Sequence, residues 1–271
     1  MCGAIALPSS RRLEIAGIPP GYTARRPRVD WPEPEDNQLL ARMIEADRGE
    51  ILSALEGVAL PPGLVLSEAH CPRPYAYFPT SGVVAVSIDL DNGASAEIAL
   101  KGHESLVGSS IYMGGATSPN RVIVIAAGYA YRIRTAMLAK EFERNPVLKR
   151  LMLRFTQALM TQIAQSAACI RHHNLDQRLC RLLLEILDRS PSNKMVITHE
   201  LIANLLGVRR ESITGLAGRL QADGLINRQR GHIAVLDRSK LEQRVCECYA
   251  VVKGEYERLL PYDVIQTSVT G

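Results

Sequence analysis

The sequence predicts an α+β protein: an N-terminal antiparallel β-roll or jelly roll, a long central helix, and a C-terminal winged helix-turn-helix. Three observations carry this reading. Between about 63 and 135 the apolar segments are short and strand-like, separated by Pro-Gly, Asn-Gly and Gly-Gly punctuation. From about 134 to 170 the period becomes helical. From 174 to 236 the pattern runs helix, helix, turn, helix, then a short hairpin.

The 271 residues are enough for two domains. At 46% hydrophobic and 22% charged, the chain has ordinary globular usage, which excludes disorder and collagen-like repeats. No apolar run approaches the ~18 residues of a membrane span. In MCGAIALPSSRRLEIAGIPP the arginines follow the apolar patch, the wrong order for a secretory signal. A soluble cytoplasmic protein with no membrane partner is expected.

Six cysteines, Cys2, Cys71, Cys169, Cys180, Cys246 and Cys248, include no C-x-x-C pair and no zinc-finger spacing with histidine. Cys246 and Cys248, read as helical, would point about 200° apart, a poor chelate. Ordinary reduced thiols are expected, and no metal site.

Taken in order, residues 1–36 hold six prolines among arginines and acids that nearly cancel, and read as a flexible tail. From 37 to about 56 apolar residues repeat at helical spacing, opening a unit that runs to 135. Its strands are Leu64–Leu66, Tyr75–Phe78, Gly82–Asp89, Ala94–Lys101, Arg121–Ala126 and Tyr129–Arg134. Asp91-Asn92-Gly93 supplies a hairpin turn.

The long helix follows, with 136–171 assigned to dimerisation and a break expected at Pro146. After the break, Leu148, Met152, Phe155, Leu159, Ile163, Ser166 and Ile170 form a coiled-coil-like seam. No charge occurs between Phe155 and Ile170, although a surface helix carries charge on its wet face. Two covered faces are implied, one packed on the β domain and one, through this seam, on a second copy in a homodimer.

Residues 172–240 form the next unit. Thr198 sits where an N-cap belongs, Leu201, Ile202, Leu205 and Leu206 supply a buried stripe, and Gly207 marks the turn. Arg209, Arg210, Glu211, Ser212 and Thr214 crowd the first turns of the second helix, where a recognition helix presents side chains to DNA. Arginine pairs with guanine O6/N7, and glutamate accepts from cytosine N4. The segment 225–235 reads as strand, basic turn, strand, a wing presenting Arg228 and Arg230 to phosphate. Between 174 and 240 eleven Lys/Arg against seven Asp/Glu leave an excess of four, equal to the whole chain's net charge of +4. Basicity concentrated on this unit is the footprint of a double-stranded DNA partner. Residues 241–271 close the chain with a helix over about 239–260 and a tail.

The order of roll, long helix and winged helix-turn-helix resembles the Crp/Fnr superfamily of bacterial transcription regulators over about residues 37–240. Its most specific segments are HNLDQRLCRLLL at 173–184 and ITHELIANLLGVRRESITGLAGRLQADGLI at 197–226. The resemblance implies a homodimer on a pseudo-palindromic site with half-sites about 34 Å apart, RNA polymerase as a further partner, and a cyclic-nucleotide-binding-like sensor roll. By the same resemblance Arg210 and Glu211 read bases and Ser212 contacts phosphate, with Arg209, Thr214, Arg228 and Arg230 beside it. The family's next base-reading arginine falls on Gly215.

The roll departs from the family's nucleotide cassette. Ser109 stands for the ribose-binding glutamate and Asn120 for the phosphate-binding arginine, unless a one-residue shift brings in Arg121. Cyclic AMP is therefore not expected as effector. Only Cys2 lies in the first 70 residues, against the four cysteines of the iron–sulfur branch. No cofactor is expected, with haem left open through His70, Cys71, His103 and Met113. The alternative function is a haem- or redox-sensing module whose helix-turn-helix contacts protein. No catalytic motif marks an enzyme.

Overall fold

The computed structural model describes residues 31–46, 50–91, 93, 95–190 and 192–261. The tail expected over 1–36 lies mostly outside the described residues, but its last six residues pack on the roll. Trp31 meets Tyr129 edge-on at 4.7 Å, and the Tyr131 hydroxyl donates to the Pro32 carbonyl at 2.9 Å. An aromatic side chain and a partnered carbonyl anchor this stretch despite its proline content.

Helix α1 (Gln38–Ala46) is capped by buried Asn37, whose Oδ1 accepts from the Leu40 amide at 2.8 Å. The Asn37 side-chain amide donates to the carbonyls of Pro79 and Ser105, tying the helix to the roll. The expected helix to residue 56 ends earlier. After α2 (Glu50–Ser53), the run Glu56–Leu60 is strand β1. Its backbone pairs antiparallel with Gly128–Arg132, a long-range partner that helical spacing could not reveal.

The remaining roll strands are β2 (Val65–Ser67), β3 (Tyr75–Pro79), β4 (Val83–Asp89), β5 (Ser95–Lys101), β6 (Arg121–Ala126) and β7 (Gly128–Arg134). They form two antiparallel sheets, ordered β1-β7-β3 and β2-β6-β4-β5. Val58, Phe78, Val84, Val124 and Ile133 fill the space between the sheets. Strand β4 is buried on both faces. Val83 and Ala85, pointing away from the sandwich, share a second core with Leu100, Ile125 and the C-terminal domain. A strand covered on both sides reads as a nearly unbroken apolar run, as Val83–Val86 does.

The expected break divides the long helical segment in two. α3 (Thr135–Arg144) and α4 (Pro146–His172) are separated at Asn145, whose Oδ1 accepts from the Val147 and Leu148 amides. Pro146 occupies the first helical position of α4, where its missing N–H costs nothing.

The predicted dimer seam is corrected on α4. Leu148, Met152 and Phe155 are 0% exposed in the single chain, and Leu159 and Ser166 are also buried. Side chains fully enclosed by their own chain cannot form an interface. They pack instead on the roll and on the C-terminal helix, each large apolar one stabilising by about 1.5–3 kcal/mol. The outward row is displaced around the helix to Leu153, Met160, Ile163 and Ile170, so only Ile163 and Ile170 of the predicted seam stay open.

The C-terminal part comprises α5 (Leu175–Asp188), β8 (Lys194–Val196), α6 (His199–Leu206), α7 (Arg210–Ala222), β9 (Ile226–Gln229) and β10 (His232–Val235). The unpredicted β8 pairs with β10, giving a three-stranded sheet ordered β8-β10-β9. An ion pair docks this part on the roll: Arg189 meets Glu104 at 2.8 Å. Within α5, Arg181 pairs with Glu185 at 3.1 Å, close to buried Glu97 of the roll. Burial, and then the like charge of Glu185, push the Glu97 carboxyl up.

The last predicted helix is also two: α8 (Arg238–Arg244) and α9 (Cys248–Leu259). The break at Val245, with ψ 153°, lets α9 turn onto α4, where the Tyr256 hydroxyl donates to Gln162 Oε1 at 3.1 Å. No described helix is long and apolar enough to cross a membrane.

Candidate nucleic-acid interface

The pivot between α6 and α7 is built from local chemistry. Thr198 Oγ1 accepts from the Leu201 amide at 3.1 Å and starts α6. Gly207 ends it in the left-handed region, φ +64° and ψ 41°, and the Val208 amide returns to the Ala203 carbonyl. Ile202, Ala203, Leu205 and Leu206 then meet Ile213, Leu216, Ala217 and Leu220 in one core. With the apolar faces matched, the polar face of α7 turns outward.

Arg209, Arg210, Glu211, Ser212 and Thr214 are all exposed on the first turns of α7. Arg209 makes no side-chain cap, so the positive end of α7 is left without a side-chain acceptor from its N-cap. Gly215 is exposed, and a Cβ there would have nothing within 4 Å.

Two of the predicted phosphate contacts are engaged within the chain. Thr214 Oγ1 donates to the Arg210 carbonyl at 3.1 Å and lies 3.1 Å from His199 Nδ1. Its single hydroxyl proton is thereby committed. Arg228 lies on β9 rather than at the wing tip, and its Nη1 donates to the Thr214 carbonyl at 3.2 Å. Gly218 leaves room for that guanidinium, since a Cβ there would lie 3.7 Å from Nη2. Arg230 is exposed at the tip, beside Gly231 with φ +77°. His199, which sequence reasoning missed, faces this surface. Burial, and then the cations Arg228 and Arg210, hold its imidazole below the usual histidine range.

A second site lies in the roll, a cavity of about 220 Å³ whose walls include Arg73, Lys101, Ser109, Asn120, Thr156 and Met160. Asn120, not Arg121, reaches it, because Arg121 turns away to Glu68 at 3.2 Å. The shift that would supply a phosphate-binding arginine from position 121 therefore does not occur. Arg73 and Lys101 are cations that the sequence did not single out, being solitary residues on separate segments. Arg73 donates through Nε to Ser67 Oγ and through Nη2 to the Asn120 carbonyl. Lys101 Nζ donates to the Leu106 carbonyl at 2.7 Å over the Phe155 ring, and burial pulls its pKa down to about 7.

The residues left open for haem are not gathered. Met113 lines this cavity, His103 lines another beside Arg189, and His70 is exposed on the loop before β3. Cys169, Cys180, Cys246 and Cys248 are free, buried thiols. The expectation of no metal-ligand set needs revision, because the structure brings Cys169, His173, Cys246 and Cys248 together.

Residues 177–244 match the family model of a Crp-like helix-turn-helix domain. No curated protein matches the chain. Among solved structures it is similar to FixK2 from Bradyrhizobium japonicum, at 15% identity and TM-score 0.61, over 71% of this chain and 98% of that one. It is also similar to a transcriptional regulator of the CRP/FNR family from Thermus thermophilus, at 19% identity and TM-score 0.56, over 70% and 97%. A third is the c-di-GMP responsive global regulator CLP of Xanthomonas campestris, at 17% identity and TM-score 0.57, over 73% and 99%. These solved chains match along nearly their whole length, and this chain is longer. The chain thus carries a Crp-like helix-turn-helix domain over residues 177–244, and its β-roll, long helix and C-terminal part share the fold of these solved structures.

Proposed function

We propose that this protein is a sequence-specific, DNA-binding transcription regulator that acts as a homodimer on a pseudo-palindromic site. The observation that carries the reading is the exposure of Arg210 and Glu211 at the start of α7, held outward by the Gly207 pivot. Arg210 and Glu211 read base edges in the major groove. Arg209, Ser212 and Arg230 hold phosphates, while Thr214 and Arg228 set the angle between α7 and the wing.

The second copy binds along the outward row of α4, Leu153, Met160, Ile163 and Ile170. Residues 37–135 act as the sensor, 136–171 as the dimerising segment and 172–240 as the DNA reader. Met160 and Ile163 belong both to this row and to the wall of the roll cavity, so an occupant of the cavity touches the dimer contact. That occupant is not held as the family holds cyclic AMP, because Ser109 and Asn120 replace the cassette's carboxylate and guanidinium and the cavity's cationic side chains are instead Arg73 and Lys101. RNA polymerase is the partner through which a bound dimer acts.

Selection of bound duplexes from a random pool by the full chain tests the reading. Recovery of an inverted repeat with centres one helical turn apart is expected. Recovery of no enriched sequence from a folded dimer overturns it.

A further inference from the structure

We propose that Cys169, His173, Cys246 and Cys248 form a tetrahedral binding site for one divalent metal ion of the zinc class. The four donor atoms all lie within 4.8 Å of one another. Cys169 Sγ is 3.6 Å from Cys246 Sγ, and Cys248 Sγ is 3.5 Å from His173 Nδ1. Zinc bonds of about 2.3 Å to sulfur and 2.0–2.1 Å to nitrogen set tetrahedral edges of about 3.8 Å and 3.6 Å. The two closest pairs therefore already stand near the edge lengths that a single ion demands.

The backbone explains how a C-x-C becomes a chelate. Cys169 lies in the last turn of α4 and His173 is its C-cap, whose amide donates to the Cys169 carbonyl at 3.0 Å and sets the two residues one turn apart. Cys246 and Cys248 are not on one continuous helix: Val245 is extended, and the chain turns through Cys246 and Glu247 before α9 begins. The opposed directions expected of a helical C-x-C do not arise.

The imidazole supplies an independent sign of a ligand. With Nδ1 facing the thiols, His173 Nε2 lies 3.3 Å from the Glu247 carboxylate. A metal-binding histidine characteristically donates its second ring N–H to such a group, which fixes the tautomer and raises the basicity of the ligating nitrogen. The three thiols are buried but stand apart from both apolar cores, in a group of their own. Cysteines serving as small core residues would join those cores instead.

Four protein ligands complete the coordination shell and leave no position for substrate, so the site is structural rather than catalytic. Binding releases three thiol protons to solvent and leaves a complex of net charge −1. The ion would tie the end of α4, one residue before the Asn174 cap of α5, to the turn between α8 and α9. It would thus brace the joint between the long helix and the helix-turn-helix.

Cobalt(II) titration of the chelator-treated, reduced full chain tests the site, because cobalt(II) reports its own geometry. Intense tetrahedral ligand-field bands with thiolate-to-cobalt charge transfer, saturating at one equivalent, are expected. His173→Cys should keep that stoichiometry and strengthen the charge-transfer band. Cys246→Ser should lose the bands, and Cys180→Ser, at a free thiol outside the group, should retain them. A folded wild-type chain with only weak octahedral cobalt absorption overturns the proposal, as does a Cys246→Ser spectrum identical to wild type.

Discussion

Arg228 on the first wing strand donates through Nη1 to the main-chain carbonyl of Thr214, in the second turn of α7, at 3.2 Å. The wing and the helix that precedes it are thereby joined by a cation that sequence reading assigns wholly to DNA. A second tie reinforces the contact, since the Arg228 amide donates to Gln221 Oε1 at 3.1 Å.

Arg228 and Arg230 should therefore behave differently. Arg230→Ala removes a free cation, so the slope of log affinity against log salt should fall by about 0.9, with all duplex sequences weakened alike. Arg228→Ala should lower the slope by less, while loosening the wing and raising amide exchange at β9 and β10. Fluorescence anisotropy on random and selected duplexes between low and physiological salt distinguishes the two.

Arg210→Ala should cost about 1–3 kcal/mol of discrimination at one base pair of each half-site, with little change in affinity for random DNA. Thr214→Val should leave that discrimination within about twofold, because the hydroxyl is already bound within the chain. Competition binding against single-base variants of the selected site measures both. Equal discrimination by Arg210→Ala and wild type would contradict base reading by this residue.

The two faces of α4 should separate association from stability. Met160 is 65% exposed, so Met160→Glu should shift the dimer toward monomer in sedimentation velocity with little loss of thermal stability. Phe155 is 0% exposed, so Phe155→Ala should destabilise the fold by about 3–5 kcal/mol, read by denaturant unfolding of the monomeric variant. A fully dimeric Met160→Glu protein would rule out this face as the interface.

Lys101 should make stability depend on pH in the alkaline range. Its folded pKa of about 7 lies below the ordinary 10.5, so between these values the unfolded chain holds a proton that the folded chain lacks. Stability then rises with pH across that window, by at most about 1.4 kcal/mol per pH unit, and the cost of burying the ammonium is fully present below pH 7. Lys101→Met should flatten this slope and raise Tm at neutral pH. Urea midpoints at pH 7, 8 and 9 for both proteins provide the measurement.

Much of the helix-turn-helix was legible from residues close together in the chain. The Thr198 cap, the Gly207 turn and the stripes flanking it each act over a few positions, so the order of residues specifies them nearly completely. The hairpin from β4 to β5 and the break at Pro146 are of the same kind. Strands β1 and β8 were missed because each is short and gains its hydrogen bonds from a strand 36 or more residues away.

What periodicity along α4 could not reveal was which apolar row meets which neighbour. Leu148, Met152 and Phe155 are spaced as a seam whether the partner is another copy or α9 of the same chain. The choice depends on where the chain folds back after residue 244, and that follows from packing across the whole molecule. Cys169 and Cys246 likewise lie 77 positions apart yet 3.6 Å in space. Local rules govern caps and turns because their energies are local. Buried faces, cavities and gathered ligands arise from contacts between remote segments, which no short stretch of sequence encodes.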